Sequence, residues 1–183
     1  MRIIDIVIGA IWIAFWIYWF VSAFGTKRSQ RRVPHYIGVR IAVAAVVIVV
    51  LHTRIGSRFG LPATNPALRG VGLAVFLAGI ALAVWARVYL GRNWGVPMSR
   101  KLEPELVTSG PYRYVRHPIY TGIILASIGT AVAVSILWLI PTLVLGGYFA
   151  FTAKVEDRIM ATAFPTTYPA YKGMTKMLIP FIL

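Results

Sequence analysis

Long apolar runs separated by short basic stretches dominate this chain. Between Asp5 and Lys27 no residue is charged. As a helix, residues 6–26 are long enough to cross a hydrocarbon core of about 30 Å. Trp12, Trp16 and Trp19 recur within it at near-helical spacing. The run exceeds the roughly 7–15 apolar residues of a signal peptide and a basic stretch follows it, so it reads as a retained anchor. A second span is predicted over residues 36–53, with Arg40 inside it and able to snorkel to the near surface. Pro62, Asn65 and Pro66 mark a loop, and a third span follows over residues 70–90, with Arg87 near its end. Residues 91–118 are polar, basic and rich in Gly and Pro, too polar to cross a bilayer. Residues 119–153 again carry no charge. One helix of that length would run about 52 Å, too long for a single crossing. Two helices in a tight hairpin are therefore predicted, turning near residues 133–135, with Pro141 kinking the second. The expected fold is all-α and membrane-embedded, with about five transmembrane helices, the last two forming the hairpin.

Composition agrees with the pattern. Of 183 residues 58% are hydrophobic and 13% are charged, against about 25% charged in an ordinary soluble domain. Mean hydropathy is +0.75. One domain over residues 1–183 is expected, with spans in 1–90 and the motif-bearing part in 91–183. The chain has no cysteine, which excludes disulfides, thiolate metal sites and a cysteine nucleophile. No metal site is expected. Gly122, Ala126, Gly129 and Ala133 recur three or four apart, on one helical face, where small residues let two backbones approach closely in lipid.

The net charge of +14 raises the question of nucleic acid. The placement of the charges answers it. Fifteen of the nineteen Lys and Arg fall in the first loop with Arg40, in residues 87–118 and in the C-terminal segment. The positive-inside rule then places the N-terminus outside and the C-terminus in the cytoplasm. Topology accounts for most of the excess, so no nucleic-acid partner is expected, and anionic lipid headgroups are the expected charged partner.

Two polar segments abut the hairpin. The first contains Gly91-Arg-Asn-Trp-Gly95 and Leu106-Val-Thr-Ser-Gly-Pro-Tyr-Arg-Tyr-Val-Arg-His-Pro-Ile-Tyr-Thr-Gly122. The second contains Lys154-Val-Glu-Asp-Arg158, then Phe164-Pro-Thr-Thr-Tyr-Pro-Ala-Tyr171 and Leu178-Ile-Pro180. Ionisable residues at helix ends facing a bundle are functional candidates. Arg116 is expected to pair with Glu156 or Asp157, because carboxylates at a membrane edge need partners. Pro118 suits the first turn of a helix. Tyr112, Tyr114 and Tyr120 also fit an aromatic belt. Asn93 and Trp94 suit either a cap on the third span or a pocket wall. His35 and His52 lie in no motif and read as structural.

The first run resembles the signature of the isoprenylcysteine carboxyl methyltransferase family, which phospholipid N-methyltransferases partly share. The acidic pair, the following aromatic residues and the terminal Ile-Pro resemble the end of that family. The likeness covers residues 91–180, about half the chain. It implies S-adenosylmethionine as methyl donor, held in a cytosolic pocket closed by the two segments beside the hairpin, and a lipid-like or prenylated acceptor at the membrane. It implies cofactor contacts by Leu106, Val107, Tyr112, His117, Pro118, Ile119, Tyr120 and Glu156. His117, Glu156 and Arg116 are the implied catalytic residues, and Asn93, Trp94, Thr152 and Lys154 the candidate substrate-binding residues. No GxGxxG-type turn is present, so no Rossmann domain is hidden in the chain. Where carboxylate-methylating members carry an arginine four residues before the glutamate, this chain has Thr152. Lys154 lies on a different helical face. The donor site is therefore expected to be kept, while a carboxylate acceptor is in question. Two rival readings are a scaffold or lipid-binding protein that keeps the fold and a nicotinamide-dependent reductase. The oligomeric state is not legible in the sequence.

Overall fold

The computed structural model describes residues 3–24, 65–95 and 104–179. The predicted second span, with Arg40, His35 and His52, lies outside these residues. All regular structure described is helical: α1 (Ile3–Ala23), α2 (Pro66–Leu90), α3 (Pro118–Ala133), α4 (Leu139–Ala163) and the short α5 (Tyr168–Met174). Segments Ile3–Ala23, Pro66–Asn93 and Ile136–Ala163 are long and apolar enough to cross a membrane. Helix α3 is apolar, but its 16 residues span only about 24 Å.

Local chemistry sets the helix ends. Asn65 caps α2, its Oδ1 accepting from the N–H groups of Ala67 at 2.9 Å and Leu68 at 3.2 Å. Pro66 takes the first helical position, where its missing N–H costs nothing. The helix thus starts four residues before the predicted 70, because Asn65 and Pro66, read as loop markers, are its cap and first residue. It ends at Gly91, whose φ of 51° lies in the left-handed region that glycine adopts freely. The hairpin turns at Val134 and Ser135, as expected, through a 3-10 turn, Ile136–Trp138. Pro141, expected to kink the second arm, lies at the third residue of α4. It stands in the first turn, where no intrahelical N–H bond is lost.

The small face of α3 packs backbone to backbone, but on α2 rather than on its hairpin partner. A Cβ added to Gly72 would sit 2.5 Å from the Ala133 nitrogen, and one on Gly122 would sit 2.6 Å from the Ala83 nitrogen. Gly79 and Gly129 are closed in the same way, against Ala126 and Phe76. Helix α1 is fastened to this pair at three polar points. Asp5 accepts from Arg69 at 2.7 Å, Trp12 Nε1 donates to Thr130 Oγ1 at 3.1 Å, and Arg87 donates to the Ser22 carbonyl at 2.6 Å. Ile8 and Phe15 are buried, whereas Ile13, Ile17 and Phe20 are exposed, as suits a helix with one face toward lipid.

Candidate functional site

The site begins where the polar run meets the start of α3. Residues 115–117 lie alongside residues 176–178: Arg116 and His117 donate their backbone N–H groups to the carbonyls of Lys176 at 2.8 Å and Met177 at 3.1 Å. Thr121 Oγ1 donates to the Leu178 carbonyl at 2.5 Å. Pro118 opens α3 immediately afterwards, so His117 is held at the helix mouth. Helix α4 runs back antiparallel and brings Glu156 and Asp157 to the same level.

Asp157 is buried, at 6% exposure, and four side chains converge on it. Arg116 grips it with Nε at 3.1 Å and Nη2 at 3.0 Å. His117 Nε2 lies 3.1 Å away, Tyr168 donates its hydroxyl to Oδ1, and exposed Lys172 stands at 3.8 Å. Arg116 also donates to the Thr175 carbonyl at 2.5 Å. Glu156 points the other way. It accepts from Tyr120 at 2.8 Å and lies 3.4 Å from His117 Nδ1. The His117 ring therefore sits between two carboxylates. Burial pushes its pKa down, but the hydrogen bonds and charges of Asp157 and Glu156 outweigh this and raise it above the ordinary histidine value. Burial raises the pKa of Tyr112 and, with the Asp157 hydrogen bond, of Tyr168; burial takes Tyr171 to about 12. All three phenols remain donors at neutral pH. Tyr171 donates to the Tyr112 carbonyl at 2.7 Å, tying α5 to the polar run.

Arg116, His117, Tyr120, Glu156, Tyr168 and Tyr171 line a cavity of about 620 Å³, within the roughly 300–1,000 Å³ of small-molecule sites. Its polar wall holds Arg116, His117, Tyr120 and Glu156. Elsewhere it is lined by Trp16, Trp19, Trp94, Ile123, Leu145 and Phe149. Leu106, Val107, Tyr112, Ile119 and Asn93 also face it. The last turns of α4 run on past the start of α3 and contribute Ile159 and Met160.

Most residues singled out in the sequence therefore meet around one space. Arg116 pairs with Asp157 rather than with Glu156. Asn93 and Trp94 stand in the wall, while the α2 cap is Gly91; Asn93 Nδ2 donates to Glu105 Oε2 at 2.8 Å. Pro118 is buried in the first turn of α3 and does not line the cavity, a structural position. Thr152 and Lys154 stand away from it as well: Thr152 is fully buried, with no partner for its Oγ1, and Lys154 is exposed. Sequence reasoning assigned no part to Tyr168 and Tyr171. Their signal is the Tyr-Pro-x-Tyr spacing, which places two rings one turn apart, with centroids at 6.0 Å. Among the described residues no cluster of three His, Asp or Glu suits a metal ion.

Known proteins resemble this chain in sequence and in fold. Residues 68–167 match the phospholipid methyltransferase family. The protein-S-isoprenylcysteine O-methyltransferase of Tribolium castaneum is 30% identical over 119 residues, 63% of this chain and 42% of that one. The cobalt-zinc-cadmium resistance protein CzcN of Cupriavidus metallidurans is 31% identical over 150 residues, 80% of this chain and 64% of that one. The solved eukaryotic intramembrane Ras methyltransferase, an isoprenylcysteine carboxyl methyltransferase, superposes with a TM-score of 0.56 at 25% identity. That likeness covers 84% of this chain and 55% of the solved one. The chain thus spans about half the length of these relatives. Because the matched stretch exceeds half of this sequence and contains both Arg116-His117 and Glu156-Asp157, the chain belongs to the phospholipid methyltransferase family.

Proposed function

We propose that this protein transfers a methyl group from S-adenosylmethionine to a hydrophobic or amphipathic acceptor at the membrane. The observation that carries this reading is one cavity with a charged wall at the helix mouth and an aromatic wall within the bundle. The residues present fit the donor. Glu156 offers carboxylate oxygens to an ammonium group or to ribose hydroxyls. Leu106, Val107, Tyr112 and Ile119 supply apolar and backbone contact beside it. Bound there, S-adenosylmethionine would supply a sulfonium-activated methyl group.

The chain's own part is alignment and exclusion of water. Asp157 fixes Arg116, His117 and Tyr168 from behind the wall. Tyr120 and His117 orient Glu156. His117 has both ring nitrogens against carboxylates, Nδ1 toward Glu156 and Nε2 toward Asp157. If the acceptor must lose a proton, Glu156, on the polar wall beside His117, is a carboxylate within the cavity. The apolar side, with three tryptophans, suits a lipid-like tail reaching in from the bilayer, while the polar side is placed for a soluble donor. The excess of Lys and Arg on one side supports a cytoplasmic polar side.

Binding of S-adenosylhomocysteine and of NADPH to the detergent-purified protein tests the reading. Binding of the first alone supports it, binding of the second alone favours a reductase, and binding of neither favours a scaffold or lipid-binding role.

A further inference from the structure

Arg87 is a cation at 5% exposure, and no carboxylate pairs with it among the described residues. It stands one turn before the end of α2. Its Nη1 donates to the Gly91 carbonyl at 2.8 Å and its Nη2 to the Ser22 carbonyl of α1 at 2.6 Å. Its guanidinium carbon lies 4.8 Å from the centroid of the Trp94 ring. Its Nε has no hydrogen-bond partner. Burying a cation without a counter-charge is costly. Helix C-terminal carbonyls and a desolvated indole face both offset that cost. A neutral residue could end α2 without incurring it, so the guanidinium calls for a reason beyond closing the helix.

The reason lies in what it joins. Arg87 does not line the cavity, but Trp94 does, and so does Trp19, one turn before Ser22. Trp19 meets Trp94 edge-on, with centroids 5.7 Å apart and planes at 86°. One side chain therefore fixes the end of α1, the end of α2 and the face of Trp94. The donor wall has its own support in Asp157, far away in the sequence. We propose that Arg87 is a positioning residue for the acceptor side: it holds Trp94 against Trp19 and so sets the aromatic wall that an apolar acceptor must fit. This deepens the methyl-transfer reading and rests on it for the word acceptor.

The test uses the full chain in detergent, as wild type, Arg87→Lys, Arg87→Met, Trp94→Phe and the Arg87→Met/Trp94→Phe pair. S-adenosylhomocysteine probes the donor side and N-acetyl-S-farnesylcysteine the apolar side. Near-UV circular dichroism reports the tryptophan pair without any ligand. Arg87→Met is expected to weaken the farnesyl probe roughly tenfold or more and to change the near-UV signal. S-adenosylhomocysteine affinity should stay within about twofold of wild type, since the two supports are independent. Arg87→Lys, a point charge that cannot fork between two carbonyls, should fall between. The double variant should bind no worse than the weaker single one. Wild-type probe affinity and dichroism in a folded Arg87→Met would overturn the proposal, as would equal loss of both ligands. If Arg87→Met does not fold, Arg87→Lys and Trp94→Phe carry the same comparison. Wild-type protein that binds S-adenosylhomocysteine but not the farnesyl probe would also overturn it. Binding of the probe alone would sink the methyl-transfer reading and leave the wall standing.

Discussion

Arg116 and Asp157 meet two nitrogens to two oxygens, at 3.1 and 3.0 Å, across 41 residues of sequence. Their side chains are 8% and 7% exposed. Breaking a buried pair of this kind leaves one charge stranded and costs about 3–5 kcal/mol. Asp157→Ala should lose stability on that scale and also weaken S-adenosylhomocysteine, because His117 and Tyr168 lose their anchor with Arg116. Lys172, 54% exposed, should matter far less, and Lys172→Ala should stay within about 0.5 kcal/mol of wild type. Denaturation curves of the two variants decide this.

Loss of either partner on the cavity side should weaken the donor site. His117→Ala and Glu156→Ala each remove charge-assisted hydrogen bonds worth roughly 1.5–3 kcal/mol, about tenfold or more in S-adenosylhomocysteine affinity. Wild-type affinity in both folded variants would refute the donor assignment.

The same histidine gives a pH signature. Its folded pKa is raised, so its stabilising contribution is full below the unfolded value of about 6.5. That contribution is lost as pH rises through the higher folded value. The thermal midpoint should therefore fall with rising pH over that window, and His117→Gln should flatten the curve. A wild-type midpoint constant across the window would contradict the two-carboxylate setting of the ring.

Thr152 offers a test of the departure from the carboxylate-methylating pattern. Its side chain is fully buried, away from the cavity, with an unpartnered hydroxyl. Thr152→Val should be neutral or stabilising, since it removes an unsatisfied polar atom at constant shape. Thr152→Arg should instead bury an unpaired charge and unfold the protein rather than create a carboxylate site. A folded Thr152→Arg with new activity toward prenylcysteine carboxylates would show that the arginine finds its way into the cavity.

The α-helical glycines among the described residues divide into two kinds. A methyl group at Gly79 or Gly122 meets the backbone of the facing helix, and overpacking of this sort costs about 1–3 kcal/mol. Gly146 has nothing within 4 Å of an added Cβ. Gly146→Ala should gain about 0.5–1 kcal/mol from helix propensity alone. Paired melting curves of Gly79→Ala and Gly146→Ala should move in opposite directions.

The site was legible because much of it is local. Residues 106–122 form one uninterrupted run, and Glu156-Asp157 one short word, so their chemistry stands out before any folding. The cavity adds what no single run encodes. The periodicity of Gly122, Ala126, Gly129 and Ala133 announces a close neighbour without naming it, since a small face fits any helix that is itself small there. Gly72 and Gly79 turn out to supply that match. Asn65 and Pro66 are ambiguous for the opposite reason: the residues that favour loops also cap and start helices. Arg87 reads as a boundary charge in the sequence, because its partners are two backbone carbonyls and a ring, none of which leaves a charge pattern.

The stitching of residues 115–117 to 176–178 constrains the order in which the protein is made. Synthesis runs from the N-terminus, so the helices leave the ribosome before the stretch that fastens the start of α3. Until Lys176, Met177 and Leu178 emerge, the backbone donors of Arg116 and His117 and the hydroxyl of Thr121 lack these carbonyls. A nascent chain therefore has its helices before the polar wall of the cavity is complete, and the start of α3 is fastened only when the final few residues of that stretch emerge.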